Sequence, residues 1–373
     1  MRFILLLISL NLFSHTLYGA ADLKPEVGSN LKSAKTPLDV KRAPASAEEC
    51  IENLASEKPS YEINLENVLP PVNDQGNNGT CYAQSPITIL SALKLKSLGR
   101  VSNRSLAFAQ ADYSPELTLL LLALKDDIFL DHRISTMRKE ENGELFGLGW
   151  SEDVLNAIKR HPEVLVPISS DITYRYGLFK RPLRDKFDEV FYSVSHLKSS
   201  TSKEQIIYEI KNGLKQMILK LKKSNDNAAK ISIKFLSDAG VNFDGKSLTV
   251  GNAKNSSGLK FRVKVAGIKN AKKATLNHCQ SALDLIFEGL CNKTPVELSI
   301  LSPISSTGYH SVTAIGILYD RKSNIPYLKV RDTAALSLGS NGIMRYPISE
   351  LCSPTNDPRG RYKLYSATTA ALE

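Results

Sequence analysis

The chain is 373 residues long, 42% hydrophobic, and carries a formal net charge of +10 at pH 7. This is enough apolar material for one large or two ordinary cores, so neither length nor composition stands in the way of an enzyme. Beyond the N-terminal region no run reaches the roughly 18 apolar residues of a membrane span; Leu117 to Leu124 is too short, so no membrane span is expected.

The first 20 residues combine a basic Arg2, a mostly apolar run from Phe3 to Phe13, and small residues at Gly19, Ala20 and Ala21. This pattern predicts a cleaved signal peptide and a secreted or periplasmic product. No Cys follows the small residues, which argues against the bacterial lipoprotein route. Residues 21–60, rich in Lys, Pro, Ala and Ser, show little periodicity and read as an extended lead-in.

From Cys81 to Ser97, Ile87, Ile89, Leu90 and Leu93 predict a buried helix, with Pro86 interrupting its early hydrogen bonds and kinking it. Ser114, Pro115 and Glu116 supply an N-cap, a first-turn proline and an acidic first turn to a Leu-rich helix. Ser151, Glu152 and Asp153 open another, with Val154, Leu155 and Ile158 inward and His161-Pro162 at its end. The N-terminal half is therefore helical.

Residues 203–275 hold 16 Lys and Arg against 5 Asp and Glu, more positive charge than the whole chain shows. Ile207, Ile210, Leu214, Met217 and Leu221 fall at helical spacing with lysines left for the opposite face. Ile231 to Leu236 and Leu259 to Val265 read as strands, the latter with Lys260, Arg262 and Lys264 outward. The segment 176–275 is expected as a basic α+β insertion. Its charge suits either an anionic partner, such as nucleic acid or an envelope polyanion, or simply a solvated face, and no nucleic-acid motif accompanies it.

Further on, Cys279 to Leu290 is helical in period, and alternation returns around Val296 to Ile300, Val312 to Ile317 and Tyr327 to Arg331, with turn residues between. These predict antiparallel strands. The overall expectation is an α+β fold with a helical lobe followed by a strand-rich lobe.

Five cysteines leave one unpaired in an oxidising compartment. If Cys81 is that one, the other four allow three pairings. A helix from 279 to 290 holds Cys279 and Cys291 roughly 18 Å apart, beyond disulfide reach. Two pairings stay open, each joining Cys50 or Cys352 to this helix, as does the alternative of four reduced, buried thiols.

Chemistry concentrates at Asp74-Gln75-Gly76-Asn77-Asn78-Gly79-Thr80-Cys81-Tyr82-Ala83, a glycine-punctuated loop ending in a Cys at a helix start. A helix N-terminus favours thiolate over thiol. The Gln75 amide, folded back beside the sulfur, could join the Cys81 N–H in holding an oxyanion. A thiol nucleophile needs a base, and His310, at the start of a hydrophobic strand, is the best placed. Asp332 ends the next strand, where antiparallel pairing brings its carboxylate toward the ring to fix the tautomer and stabilise imidazolium. No Cys/His set has zinc spacing and no phosphate-binding glycine loop occurs, so neither metal nor organic cofactor is expected.

Residues 74–83 resemble the active-site signature of the papain-like cysteine peptidases, with Asp-Gln-Gly, a glycine and a small residue before Cys, and an aromatic after it. Tyr309-His310-Ser311-Val312 resembles the family's His followed by a strand, and 329–333 with 339–345 resemble its strand ending in Asn and its later Asn-Gly run. Gly147-Leu148-Gly149-Trp150 is similar to its glycine-rich substrate strand, and 282–300 to the helix and Pro-Val strand before the His. The likeness covers about residues 60–175 and 276–350. His310 follows Cys81 by 229 residues; removing an insertion of about 100 returns the separation to about 130, inside the family's window.

The resemblance implies a papain-like peptidase domain made of 61–175 and 276–373, interrupted by 176–275. It implies Gln75, Cys81, His310 and Asp332 as catalytic residues, Gly79, Gly147, Gly149 and Tyr309 as substrate-binding residues, and protein or peptide substrates. Departures are Asp332 in place of Asn, Tyr82 in place of Trp, Asn78 in place of a disulfide Cys, and no aromatic in 333–335, which predicts a wetter His310–Asp332 bond. The sequon Asn78-Gly79-Thr80 beside the nucleophile favours a bacterial source or an unused sequon. The alternatives are an inactive papain-like binding protein and a thiol acyltransferase or amidase acting on cell-wall peptides.

Overall fold

The computed structural model describes residues 48–50, 62–70, 79–99, 104–139, 143–147, 149–167, 184–224, 227–254, 256–267, 276–301, 309–319, 326–334, 342–352 and 363–373. The fold is α+β: a helical lobe carrying Cys81 packs on an antiparallel sheet carrying His310.

The helical lobe contains α1 (Cys81–Ser97), α2 (Arg104–Ala111), α3 (Pro115–Lys125), α4 (Asp127–Lys139) and α5 (Ser151–Arg160). At the start of α3, Ser114 Oγ accepts from the Leu117 N–H at 3.2 Å and Pro115 takes the first helical position, where its missing N–H costs nothing. Leu119 to Leu122 are fully buried, as suits a helix that is apolar all round and runs through the middle of a core. The helix α1 continues unbroken through Pro86. A proline there leaves the carbonyl four residues back, that of Tyr82, without its ladder donor. Ser151 Oγ, at the start of α5, donates to that carbonyl at 3.1 Å and supplies the missing partner.

The basic segment extends this lobe. It contributes α6 (Arg184–Ser195), α7 (Lys203–Lys223), α8 (Asn227–Asp238) and a short hairpin, β2 (Val241–Phe243) with β3 (Leu248–Val250). Ile206, Ile210, Leu214, Met217 and Leu221 of α7 join the same apolar cluster as α3, with Ile206 taking the inward place expected of Ile207. Part of the positive charge is used internally: Lys203 lies 2.8 Å from both Asp127 and Asp131, and Lys220 2.7 Å from Glu189. The strand expected over 231–236 is instead the helix α8. Its Ile231, Ile233 and Phe235 alternate, but Ala229, Ser232 and Leu236 also recur at helical spacing, and that face is the buried one.

The second lobe is built on a sheet of β4 (Phe261–Gly267), β5 (Val296–Leu301), β6 (Tyr309–Tyr319), β7 (Pro326–Arg331), β8 (Ile343–Pro347) and β9 (Lys363–Leu372), in the order β4-β9-β5-β6-β7-β8; a short β1 (Ile63–Asn64) also pairs with β6. Thus the last strand of the basic segment, β4, lies in the main sheet, with Phe261 opposite Leu372. Inward alternation in β4 is firm at Phe261 and fades to an exposed Val265.

One face of the sheet is apolar, with Val296, Leu298, Ile300, Val312 and Ala314 packed with Ile286 and Leu290 of α9 (Leu276–Cys291). Cysteines tie down both ends of that helix: Cys50 to Cys291 and Cys279 to Cys352, with Cα separations of 5.8 and 5.7 Å. This is one of the two pairings the sequence leaves open, and Cys81 is the free thiol. Cys352 follows a final short helix, α10 (Ile348–Leu351). Among the described residues no helix is long and apolar enough to cross a membrane.

Candidate active site

Cys81 is the first residue of α1, so its backbone N–H is not required by the helix ladder. Cys81 is partly exposed and interacts electrostatically with His310, favouring the charged ring. His310 is the second residue of β6, opposite Ile300 of β5. The neighbouring β6/β7 ladder begins with Thr313 opposite Arg331, so the chain leaves β7 beside His310. There Asp332 Oδ1 stands 2.7 Å from His310 Nε2, leaving the other ring nitrogen for the sulfur. The two lobes therefore bring a thiol, an imidazole and a carboxylate to one site.

The carboxylate is firmly held. The Ala334 N–H donates to Asp332 Oδ1 at 3.0 Å, and Tyr346 Oη donates to Oδ2 at 3.4 Å. The wetter bond expected from the missing aromatic at 333–335 is not what the structure has: Asp332 is 1% exposed, and Tyr346, itself buried, reaches it from β8. An aromatic side chain from a different strand does the covering, which spacing in the sequence does not reveal.

Burial works against a charged His310. The hydrogen bond to Asp332 and the interactions with Cys81 outweigh it, and raise the ring from 6.5 to about 10. The imidazolium is thereby the favoured form over the neutral pH range.

Tyr82, next to the nucleophile, is buried, and desolvation pushes its hydroxyl up to about 12. The guanidinium of Arg133 lies 4.9 Å from the centre of its ring, and Arg133 Nε donates to the Leu145 carbonyl at 2.9 Å. Arg133, a buried cation without a motif around it, was not legible as part of this site.

The glycines of the site make close approaches. A Cβ on Gly79 would fall 2.4 Å from the Gly147 carbonyl oxygen, so Gly79 and Gly147 approach backbone to backbone. One on Gly149 would meet the Tyr82 ring at 2.6 Å and Arg133 Nη1 at 2.7 Å. Both glycines are thus required by the protein's own packing. Tyr309 pairs with Leu301 through its backbone. Gln75 lies outside the described residues. Among the described residues no group of three His, Cys, Asp or Glu side chains is arranged to hold a metal ion.

No family model matches the sequence, and no curated protein sequence does. Solved structures that overlap with the fold include proteases. The bromelain protease from Ananas comosus, in complex with the E64 inhibitor, is 13% identical and overlaps 84% of this chain and 99% of its own, with a TM-score of 0.37. Digestive procathepsin L 3 of Tenebrio molitor larval midgut is 11% identical over 88% of this chain and 80% of its own, with a TM-score of 0.38. The ragweed pollen allergen Amb a 11, a cysteine protease in its proform, is 12% identical over 86% and 67%, with a TM-score of 0.37.

Proposed function

We propose that the chain is an exported, papain-like cysteine peptidase in which Cys81 is the nucleophile, His310 the acid–base and Asp332 the group that orients and charges it. The observation that carries this reading is the free thiol at a helix start, coupled electrostatically to a buried imidazole whose Nε2 is 2.7 Å from a carboxylate.

In this reading the Cys81 thiolate attacks the carbonyl carbon of a peptide bond, forming a C–S bond and an oxyanion. The Cys81 N–H, spare at the helix start, holds that oxygen, together with the Gln75 amide. As the C–N bond breaks, the imidazolium of His310 gives its proton to the departing amine. Water then enters, His310 takes a proton from it as the oxygen attacks the thioester carbon, and cleavage of the C–S bond frees the acid and restores the thiolate–imidazolium pair. Asp332 stays ionised throughout and stabilises each imidazolium stage. The wall formed by Gly79, Gly147 and Gly149 and the His310 strand flank the groove that takes the peptide, and the N-terminal signal directs the product out of the cytoplasm.

The test is mass-spectrometric mapping of new termini in a denatured protein mixture incubated with the natural chain or with Cys81→Ala. Termini that need Cys81 support the peptidase. Identical maps remove it and favour a binding protein, while amide products formed with added amines favour acyl transfer.

A further inference from the structure

Beneath the catalytic pair the sheet turns a polar face toward the helical lobe. Glu297, on β5, is completely buried there. Its Oε1 accepts from Ser299 Oγ at 2.8 Å and from Ser311 Oγ at 2.9 Å. The hydroxyls of Thr368, its ladder partner on β9, and of Ser151 complete the surroundings. A lone carboxyl buried among hydroxyls is costly unless it has a use.

The hub is Ser311, the residue after His310. Its oxygen lies 3.1 Å from Ser85 Oγ on α1 and 3.2 Å from Ser151 Oγ on α5. Ser85 is one helical turn after Cys81. Ser151 is committed to the Tyr82 carbonyl that Pro86 leaves open. A chain of side chains thus runs from Glu297 to both neighbours of the reacting groups: directly to the strand of His310, and through Ser85 and Ser151 to the first turns of the Cys81 helix.

Resting on the peptidase reading, we propose that Glu297 is a positioning residue: through Ser311, Ser85 and Ser151 it sets how the Cys81 helix sits against the His310 strand. The logic is in the hydrogen count. Ser311 has one hydroxyl proton and three oxygens within reach. When the carboxyl is ionised, Ser311 gives its one proton to Glu297 and has none for Ser85 or Ser151. When Glu297 is protonated it donates to Ser311, and Ser311 can donate onward to Ser151, which donates to the Tyr82 carbonyl. The direction of the chain, and with it the hold on α1, follows the state of one carboxyl.

Burial raises that carboxyl from 4.5 to about 7, against the hydrogen bonds of the hydroxyls, which lower it. Besides the cations of α1 and α5, the titratable groups on the elements packed around it are Cys81 and Tyr82 on α1, Glu152 and Asp153 on α5, Tyr309, His310 and Tyr319 on β6, and Lys363 and Tyr365 on β9. The cations of α1 and α5 bond elsewhere: Lys94 and Lys96 to the Ser257 and Asn292 carbonyls, Lys159 to Glu373, Arg160 to Asp126. The switch between the two hydrogen-bond patterns therefore falls near neutral pH.

The experiment is the rate of iodoacetamide alkylation of Cys81, the free cysteine, between pH 5 and 9, in the natural chain, Glu297→Gln and Ser311→Ala, with folding checked by thermal melts. The natural chain is expected to show an inflection near pH 7. Both variants should lose it, with rates changed by about two- to fivefold, as for residues sharing one hydrogen-bond network. Superimposable profiles in natural chain and Glu297→Gln overturn the proposal. If that variant does not fold, Ser311→Ala decides in the same way, and a natural chain without an inflection between pH 6 and 8 overturns it regardless of the variants. Absence of peptide cleavage with the inflection intact speaks against the peptidase reading alone.

Discussion

Asp332→Asn isolates charge from shape at the site. The amide oxygen can still accept from His310 Nε2 at the place where Asp332 Oδ1 now stands 2.7 Å away, but the negative charge is gone. An adjacent opposite charge shifts a pKa by about 1 to 3 units, and each unit corresponds to about 1.36 kcal/mol. The imidazolium should therefore lose about 1.4 to 4 kcal/mol of stabilisation, and the ring should titrate that many units below its value of about 10. Two measurements read this: the alkaline limb of kcat/KM for peptide cleavage, and the NMR titration of the His310 ring, which needs no turnover. Both should move to lower pH together. The folded ring is raised above its unfolded value of 6.5, so its contribution to stability is complete below 6.5 and is lost as pH climbs toward 10. Asp332→Asn should shrink that alkaline loss. Tyr346→Phe, which removes only a 3.4 Å bond to Oδ2, is the control and should move the limb much less. An alkaline limb and ring titration unchanged in Asp332→Asn would refute the role given to the carboxylate.

Three further outcomes follow from the packing. Peptide mapping without reductant should find alkylation at Cys81 only, and Cys50→Ser with Cys291→Ser should lower stability by roughly 2 to 5 kcal/mol in guanidinium titrations. Gly149→Ala should cost about 1 to 3 kcal/mol in thermal melts and slow alkylation of Cys81, because its Cβ has no room beside Tyr82 and Arg133.

The pairing of His310 with Asp332 was readable because two adjacent alternating strands with a turn between them pair antiparallel, which brings the start of one beside the end of the other despite a bulge between Ala314 and Gly316. The Leu-rich α3 was readable for a similar local reason: cap, proline and acidic residue stand in consecutive positions. Segment 231–236 was misread because its residues satisfy both a period of 2 and a period of 3.6, and contact with the helical lobe decides between them. The partner strands of β9 and the covering of Asp332 by Tyr346 depend on residues far apart in the chain. Serines 85, 151 and 311 carry no local signal at all, since only the fold brings their oxygens within about 3 Å of each other, the ordinary separation of hydrogen-bonded hydroxyls.

In the sheet, β9 is not at the margin: it is hydrogen-bonded to β4 on one side and β5 on the other. During synthesis, then, β4 has no partner in the sheet, and β5 only β6, until residues 363–372 leave the ribosome. Until that moment two strand edges stay open to pairing with other chains. Chaperone demand should accordingly persist until those residues emerge, and a ribosome stalled just short of residue 363 should hold a nascent chain that proteases cut readily.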